Sequence, residues 1–320
     1  MWSEHLQKIY FKYFETSSGV ELFFVIAGYF AAKKLSKADT LSGIGVAKYI
    51  VSRFKRLSPL MYFWGLVMFL WGGVEDPQKW GSHLDLYNRL IGTITYTRNF
   101  QTFFHSDAFS YFWAVSLELQ FFVCFAMLMY VFNKNRNILW HVLGLVVIIF
   151  SFYRPGIFSS PWFRIDSLIL GLLLYTICCK IHDNDEFCKL IGIGDLNKFE
   201  QFSIFFGLLI SLASSVVILG EFNYLKYSLT AIIAFVLTFL AILDSPIISF
   251  KSHYIDLIFE KIGDYSFSLY VSHIITWWIG MDLLNLWIPN RSIICNFLLS
   301  LTFMIITTIL SHKYIENILK

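Results

Sequence analysis

Of the 320 residues, 57% are hydrophobic and 19% aromatic, 15% carry charge, and the mean hydropathy is +0.62. Soluble domains carry about 25% charged residues, so the composition argues against a water-soluble globule. It predicts an all-α fold, a polytopic transmembrane helix bundle read as a single domain over 1–320. With a net charge of +3 and no long charge run, the required partner is the lipid bilayer, and no nucleic-acid partner is expected.

Apolar stretches of about 17 or more residues with helix-compatible punctuation fall near 17–35, 57–74, 110–132, 163–180, 201–220, 225–243, 265–287 and 291–311, with a shorter one at 138–152. That makes nine spans. No cleavable signal peptide is visible in the first eighteen residues, which are polar and aromatic without an apolar core. Lys and Arg set the orientation. Alternating from a cytoplasmic segment after the first span puts sixteen of them inside and six in the outside segments between spans. The N-terminus is then outside and the C-terminus cytoplasmic. A chain that starts outside with no preceding span is expected to have lost a tenth helix ahead of Met1.

Segment 33–56 is the most basic, with seven Lys/Arg against Asp39. Arg53 and Arg56, three apart, share a helix face suited to a phosphate-bearing ligand. Lipid headgroup contact is the plainer reading. The external segment 75–109 is long, holds His83 and His105, and shows no motif.

The next stretch, Tyr111-Phe-Trp-Ala-Val-Ser-Leu-Glu-Leu-Gln-Phe-Phe122, places Ser116, Glu118 and Gln120 inside an apolar run. A carboxylate facing lipid costs about 2.5–3.5 kcal/mol, so Glu118 is expected to face an interior and find a partner. At about 100° per residue, Ser116 and Gln120 share a face and Glu118 points away. Arg164 and Asp166 arrive at the outer end of the fifth span, offset so that each needs a partner elsewhere. Glu118–Arg164 is one expected pair, either functional or merely fold-stabilising.

Gly263 and Asp264 read as a helix start, and His273 lies well inside that span, as a packing residue or a functional one. The five cysteines form no disulfide framework. Cys178, Cys179, His182 and Cys188 lack the paired spacing of a zinc site, and no metal is expected.

Laid out in order, these stretches resemble the integral-membrane acyltransferase family 3, the bacterial O-acyltransferases. Gly19-Val-Glu-Leu-Phe-Phe-Val-Ile-Ala-Gly-Tyr29 is similar to that family's GV[DE]xFFVxSG[FY], with Ala27 where Ser is usual. Arg53-Phe-Lys-Arg56 followed by Pro59 resembles its RxxR, and Phe112 to Phe122 its FWxxSxExQFY. Arg164-Ile-Asp166 to Gly171 resembles RxDxLxxG, Tyr265 to His273 SYSLYxxH, and Tyr314-Ile-Glu316 the closing [YF]xxE.

The resemblance implies a ten-helix fold lacking most of its first helix, which carries an Arg and a His believed to be catalytic. His5 falls where that His belongs. It further implies acetyl transfer from cytoplasmic acetyl-CoA to a hydroxyl of a cell-surface polysaccharide, at the bacterial inner (plasma) membrane. Arg53 and Arg56 would meet the CoA phosphates. His5 would be the general base or an acyl relay, and Glu118 would orient it. Ser116, Gln120, Arg164, Asp166 and His273 would form a substrate-binding or structural polar network. The rival readings are a non-catalytic carrier of a lipid-linked glycan and an inactive remnant of the enzyme.

Overall fold

The computed structural model describes residues 18–36, 42–75, 80–104, 107, 109–154, 156–181, 187, 196–219, 225–245, 247–248, 253–287 and 293–318. Among them are eleven α-helices and no strand: α1 (Gly19–Leu35), α2 (Gly43–Val74), α3 (His83–Ile94), α4 (Arg98–Phe104), α5 (Trp113–Val131), α6 (Arg136–Phe152), α7 (Asp166–Cys178), α8 (Lys198–Ile218), α9 (Leu225–Ile242), α10 (His253–Trp287) and α11 (Ile293–Ser311). Every expected span has its helix, and seven helices are long and apolar enough to cross a membrane by length and composition. Large apolar side chains such as Phe30, Leu70, Phe152 and Ile218 lie exposed along them. Patches of that size belong against lipid. The chain is an integral membrane protein.

Two expectations about boundaries change. The basic segment before the second span is itself helical from Gly43, so Arg53 and Arg56 sit about three turns into α2 rather than in a loop. Pro59 lies inside that helix and removes one ladder donor, while the Ser58 hydroxyl beside it donates to the Phe54 carbonyl at 2.7 Å. The helix-start signal at Gly263 is overridden as well. Helix α10 begins at His253 and runs through it, and Asp264 pairs along the helix with Lys261 at 3.7 Å.

The helices fall into two compact units. The described residues between Ser18 and Ile50, together with those of Gln120–Asp256, form one, organised around the crossing of α1 and α7. A β-carbon at Gly28 would run into the Leu168 carbonyl oxygen, and one at Gly171 into that of Val25. Only glycines allow that approach. Helix α9 packs on both α1 and α7, and α6 on α7. Apolar clusters fill the gaps, one around Ala31, Phe122, Phe125, Leu139 and Leu172, another around Val25, Leu174, Ala234 and Leu237.

Val51–Leu119 and the chain from Leu257 onward form the other unit. Here α10 and α11 run antiparallel, because Ser268 meets Glu316, Ser272 meets Thr308 and Gly280 meets Ser300. Segment 75–109, which carries no motif in sequence, folds into α3 and α4, which run back along α2 from Gly72, beside Trp80 and Leu86, to Ser58, beside Tyr96. A reciprocal capping box between Ser82 and Asp85 starts α3.

Candidate active site

In the unit that holds α10, the polar side chains sit in layers along α2 and α5. Deepest is a group around Glu118. Its carboxylate is 4% exposed, and its Oε2 has no hydrogen-bond partner among the described residues. The cations whose fields reach it are those of Arg53 and Arg56. The two arginines differ: Arg53 is buried at 8% exposure, Arg56 is exposed. Ser116 is fully buried, and its hydroxyl too has no hydrogen-bond partner among the described residues.

Beside them stands Tyr96, which no motif announces. Its backbone takes a left-handed φ of 57°, a strained conformation for an aromatic residue. Its hydroxyl lies 2.9 Å from Ser58 Oγ. The Ser58 proton is already committed to the Phe54 carbonyl, so Tyr96 is the donor. Burial pushes the Tyr96 phenol above its ordinary value. An ionic staple fixes the α3–α4 segment. Asp107 takes Arg98 at 2.7 Å and Arg89 at 3.1 Å, and Gln101 adds a bond to Arg98 and one to the Asn88 carbonyl. Burial pulls the Arg98 guanidinium below its ordinary value, and Asp107 opposes that.

A second layer joins α2, α5 and α10. The Tyr111 hydroxyl donates to the Val271 carbonyl at 2.9 Å and lies 3.3 Å from the Met68 sulfur. The Tyr270 hydroxyl donates back to the Tyr111 carbonyl at 2.6 Å. Between these rings sits His273, with centroids 5.7 Å from Tyr111 and 5.9 Å from Tyr270. Its Nδ1 is 2.7 Å from the Tyr270 carbonyl. A third cluster closes the C-terminal end, where a π-helical turn over His312–Glu316 lets Glu316 accept from Ser268 at 2.7 Å and from His312 Nδ1 at 2.9 Å.

The other unit buries four charges. Glu21 on α1 pairs with Arg164 at 2.7 Å and accepts from Ser167. Asp166 pairs with Arg154 at 2.5 Å, and Arg154 also reaches Ser228 at 3.2 Å. The Tyr227 ring lies 5.4 Å from one guanidinium carbon, of Arg154, and 4.9 Å from the other, of Arg164. None of the four is more than 2% exposed.

A family model described as an acyltransferase domain matches residues 3–312. The chain belongs to the integral-membrane acyltransferase family 3. Comparisons with curated proteins and with solved structures returned no match.

For a membrane acyltransferase, the residues singled out in the sequence divide between the two units. Arg53, Arg56, Ser116, Glu118 and His273 fall in one, Arg164 and Asp166 in the other. Gln120, half-buried, follows the division point on α5. His5 lies outside the described residues, as do His182 and Cys188. Among the described residues no group of three or more His, Cys, Asp or Glu side chains is placed to hold a metal ion. Arg164 and Asp166 take separate partners, as their offset requires. Arg164 pairs with Glu21, where the sequence reading paired it with Glu118. Glu21 is a carboxylate in an apolar run, so the argument applied to Glu118 would have found it. Arg154 sits among loop residues and gives no local signal.

Proposed function

We propose that this membrane acyltransferase moves an acetyl group from cytoplasmic acetyl-CoA to a hydroxyl of a cell-surface polysaccharide, at the bacterial inner membrane with its C-terminus in the cytoplasm. The observation that carries the reading is the division of labour between the two arginines of α2. Arg56 is exposed and Arg53 is buried, with Glu118 in the field of both. An exposed guanidinium next to the exposed Lys55 suits the phosphates of a CoA donor through charge-assisted, bidentate contacts. A buried guanidinium cannot do that, and Arg53 instead balances the Glu118 carboxylate. Bound acetyl-CoA supplies the activated acyl group. The chain's part is to hold the donor through Arg56, to keep Glu118 charged or hydrogen-bonded within an apolar bundle, and to handle the proton of the acceptor hydroxyl. His5 enters through the family resemblance as general base or acyl relay.

The test is an in vitro transfer assay with purified protein, radiolabelled acetyl-CoA and envelope polysaccharide. Wild type transfers label to the glycan, and His5→Ala does not. Arg56→Ala raises KM for acetyl-CoA with kcat little changed, whereas Arg53→Ala lowers kcat. Transfer that is indifferent to acetyl-CoA, or equal effects of the two arginine variants on KM, overturns the assignment.

A further inference from the structure

His273 Nδ1 faces the Tyr270 carbonyl at 2.7 Å. A carbonyl can only accept, so Nδ1 carries the proton and the neutral ring keeps its lone pair on Nε2. Two tyrosines clamp the ring in place by bonding backbone between α10 and the 3₁₀ turn over Ser110–Phe112 ahead of α5. The half-buried imidazole thus has a fixed tautomer, a fixed orientation and a basic nitrogen that no described residue occupies. A nucleophile's base needs that combination.

Its depth fits as well. The His273 layer is marked on α2 by Met68, through Tyr111, twelve residues beyond Arg56 and so about 18 Å along the helix. The arm linking CoA phosphates to the thioester spans the backbone bonds of about four residues, roughly 14 Å when extended. With the guanidinium of Arg56 reaching toward the phosphates, the acyl carbon falls near this layer.

We propose that His273 Nε2 takes the proton of the attacking acceptor hydroxyl, an inference that rests on the acetyl-transfer reading above. As the hydroxyl oxygen bonds to the acyl carbon, its O–H bond breaks and the proton passes to Nε2. The acyl carbon parts from its leaving group, the CoA sulfur, and the proton follows to that sulfur.

The decisive variant is His273→Asn, whose side-chain amide keeps a donor toward the Tyr270 carbonyl and removes the base. In the transfer assay, with thermal unfolding showing the variant folded, His273→Asn should lower kcat by about 10²–10⁴-fold. It should also change the acidic limb of the pH–rate profile, to which the His273 imidazole contributes. Tyr111, in the 3₁₀ turn ahead of α5, and Tyr270 on α10 are the tyrosines packed about the ring. A second readout needs no turnover: diethyl pyrocarbonate should carbethoxylate His273 in the wild type, read by peptide mass, and saturating acetyl-CoA should slow it. Wild-type transfer with His273→Asn at wild-type rate and pH profile overturns this inference and leaves the acetyl-transfer reading standing. Absence of transfer by the wild type overturns that reading and this one together. Should His273→Asn fail to fold, the modification decides, and a wild-type His273 that resists the reagent overturns the open Nε2.

Discussion

Arg154 and Asp166 meet at 2.5 Å with side chains 0% and 1% exposed. Glu21 and Arg164 repeat the pattern at 2% exposure or less. Four charges with no net sum are thereby buried among apolar helices, at a desolvation cost that only close geometry offsets. Asp166 Oδ1 and Arg154 Nη1 have no hydrogen-bond partner among the described residues, so each of the two residues depends on the ion pair to offset its burial. Removing one charge strands its partner. Arg154→Met and Asp166→Asn should therefore each destabilise the protein by about 3–5 kcal/mol. The double variant Arg154→Met/Asp166→Leu, which removes both charges and restores apolar volume, should recover most of that loss. Unfolding midpoints in one detergent test this, and additive losses would show that the two residues do not act as a pair. Both arginines also bracket the Tyr227 ring, so part of the loss in the single arginine variant is packing.

Between helices, the approach of α1 to α7 is the tightest contact, and it depends on two glycines that the family motifs place in separate stretches. With Gly171 Cα only 3.1 Å from a β-carbon built at Gly28, the backbones touch, as at small-residue crossings in membranes generally. Gly28→Ala and Gly171→Ala meet backbone rather than a yielding side chain. Each should cost about 1–3 kcal/mol or more, seen as a lower unfolding midpoint. Gly73→Ala, on an exposed face of α2 with nothing within 4 Å, should be neutral or slightly stabilising. Equal behaviour of all three variants would remove the crossing as the cause. Such contacts also show why sequence reading stopped where it did. Hydropathy located all nine long helices, because length and apolarity are local properties. Which face of α5 meets which arginine is not local, and the guess that joined Glu118 to Arg164 failed at that point. The fold of α3 and α4 escaped because its signals, a capping box and a three-charge staple on Asp107, are polar and lie among loop-like residues. Helix α10 crossed Gly263 because one glycine costs about 1 kcal/mol, little against the packing of a 35-residue helix.

Across the whole molecule, the orientation in the membrane decides whether the chemistry is possible. A CoA donor is confined to the cytoplasm, so the proposed reaction requires Arg56 to face that side, and the excess of Lys and Arg in the segments read as inside predicts that it does. Helix α6 offers a direct check, because its two ends lie on opposite sides of one span. Asn133 precedes it and Ser159 follows it, and both are exposed. On the proposed orientation, a cysteine in place of Ser159 should react with a membrane-impermeant maleimide applied to intact spheroplasts. A cysteine in place of Asn133 should react only after permeabilisation. The native cysteines are replaced for the experiment, since Cys179 is exposed at the same end as Asn133. The reverse pattern would put Arg53 and Arg56 toward the outside. It would break the link between Arg56 and a cytoplasmic donor while leaving the buried charges and the helix crossings as they are. The labelling therefore separates the part of the account that depends on the membrane's sidedness from the part that depends only on packing.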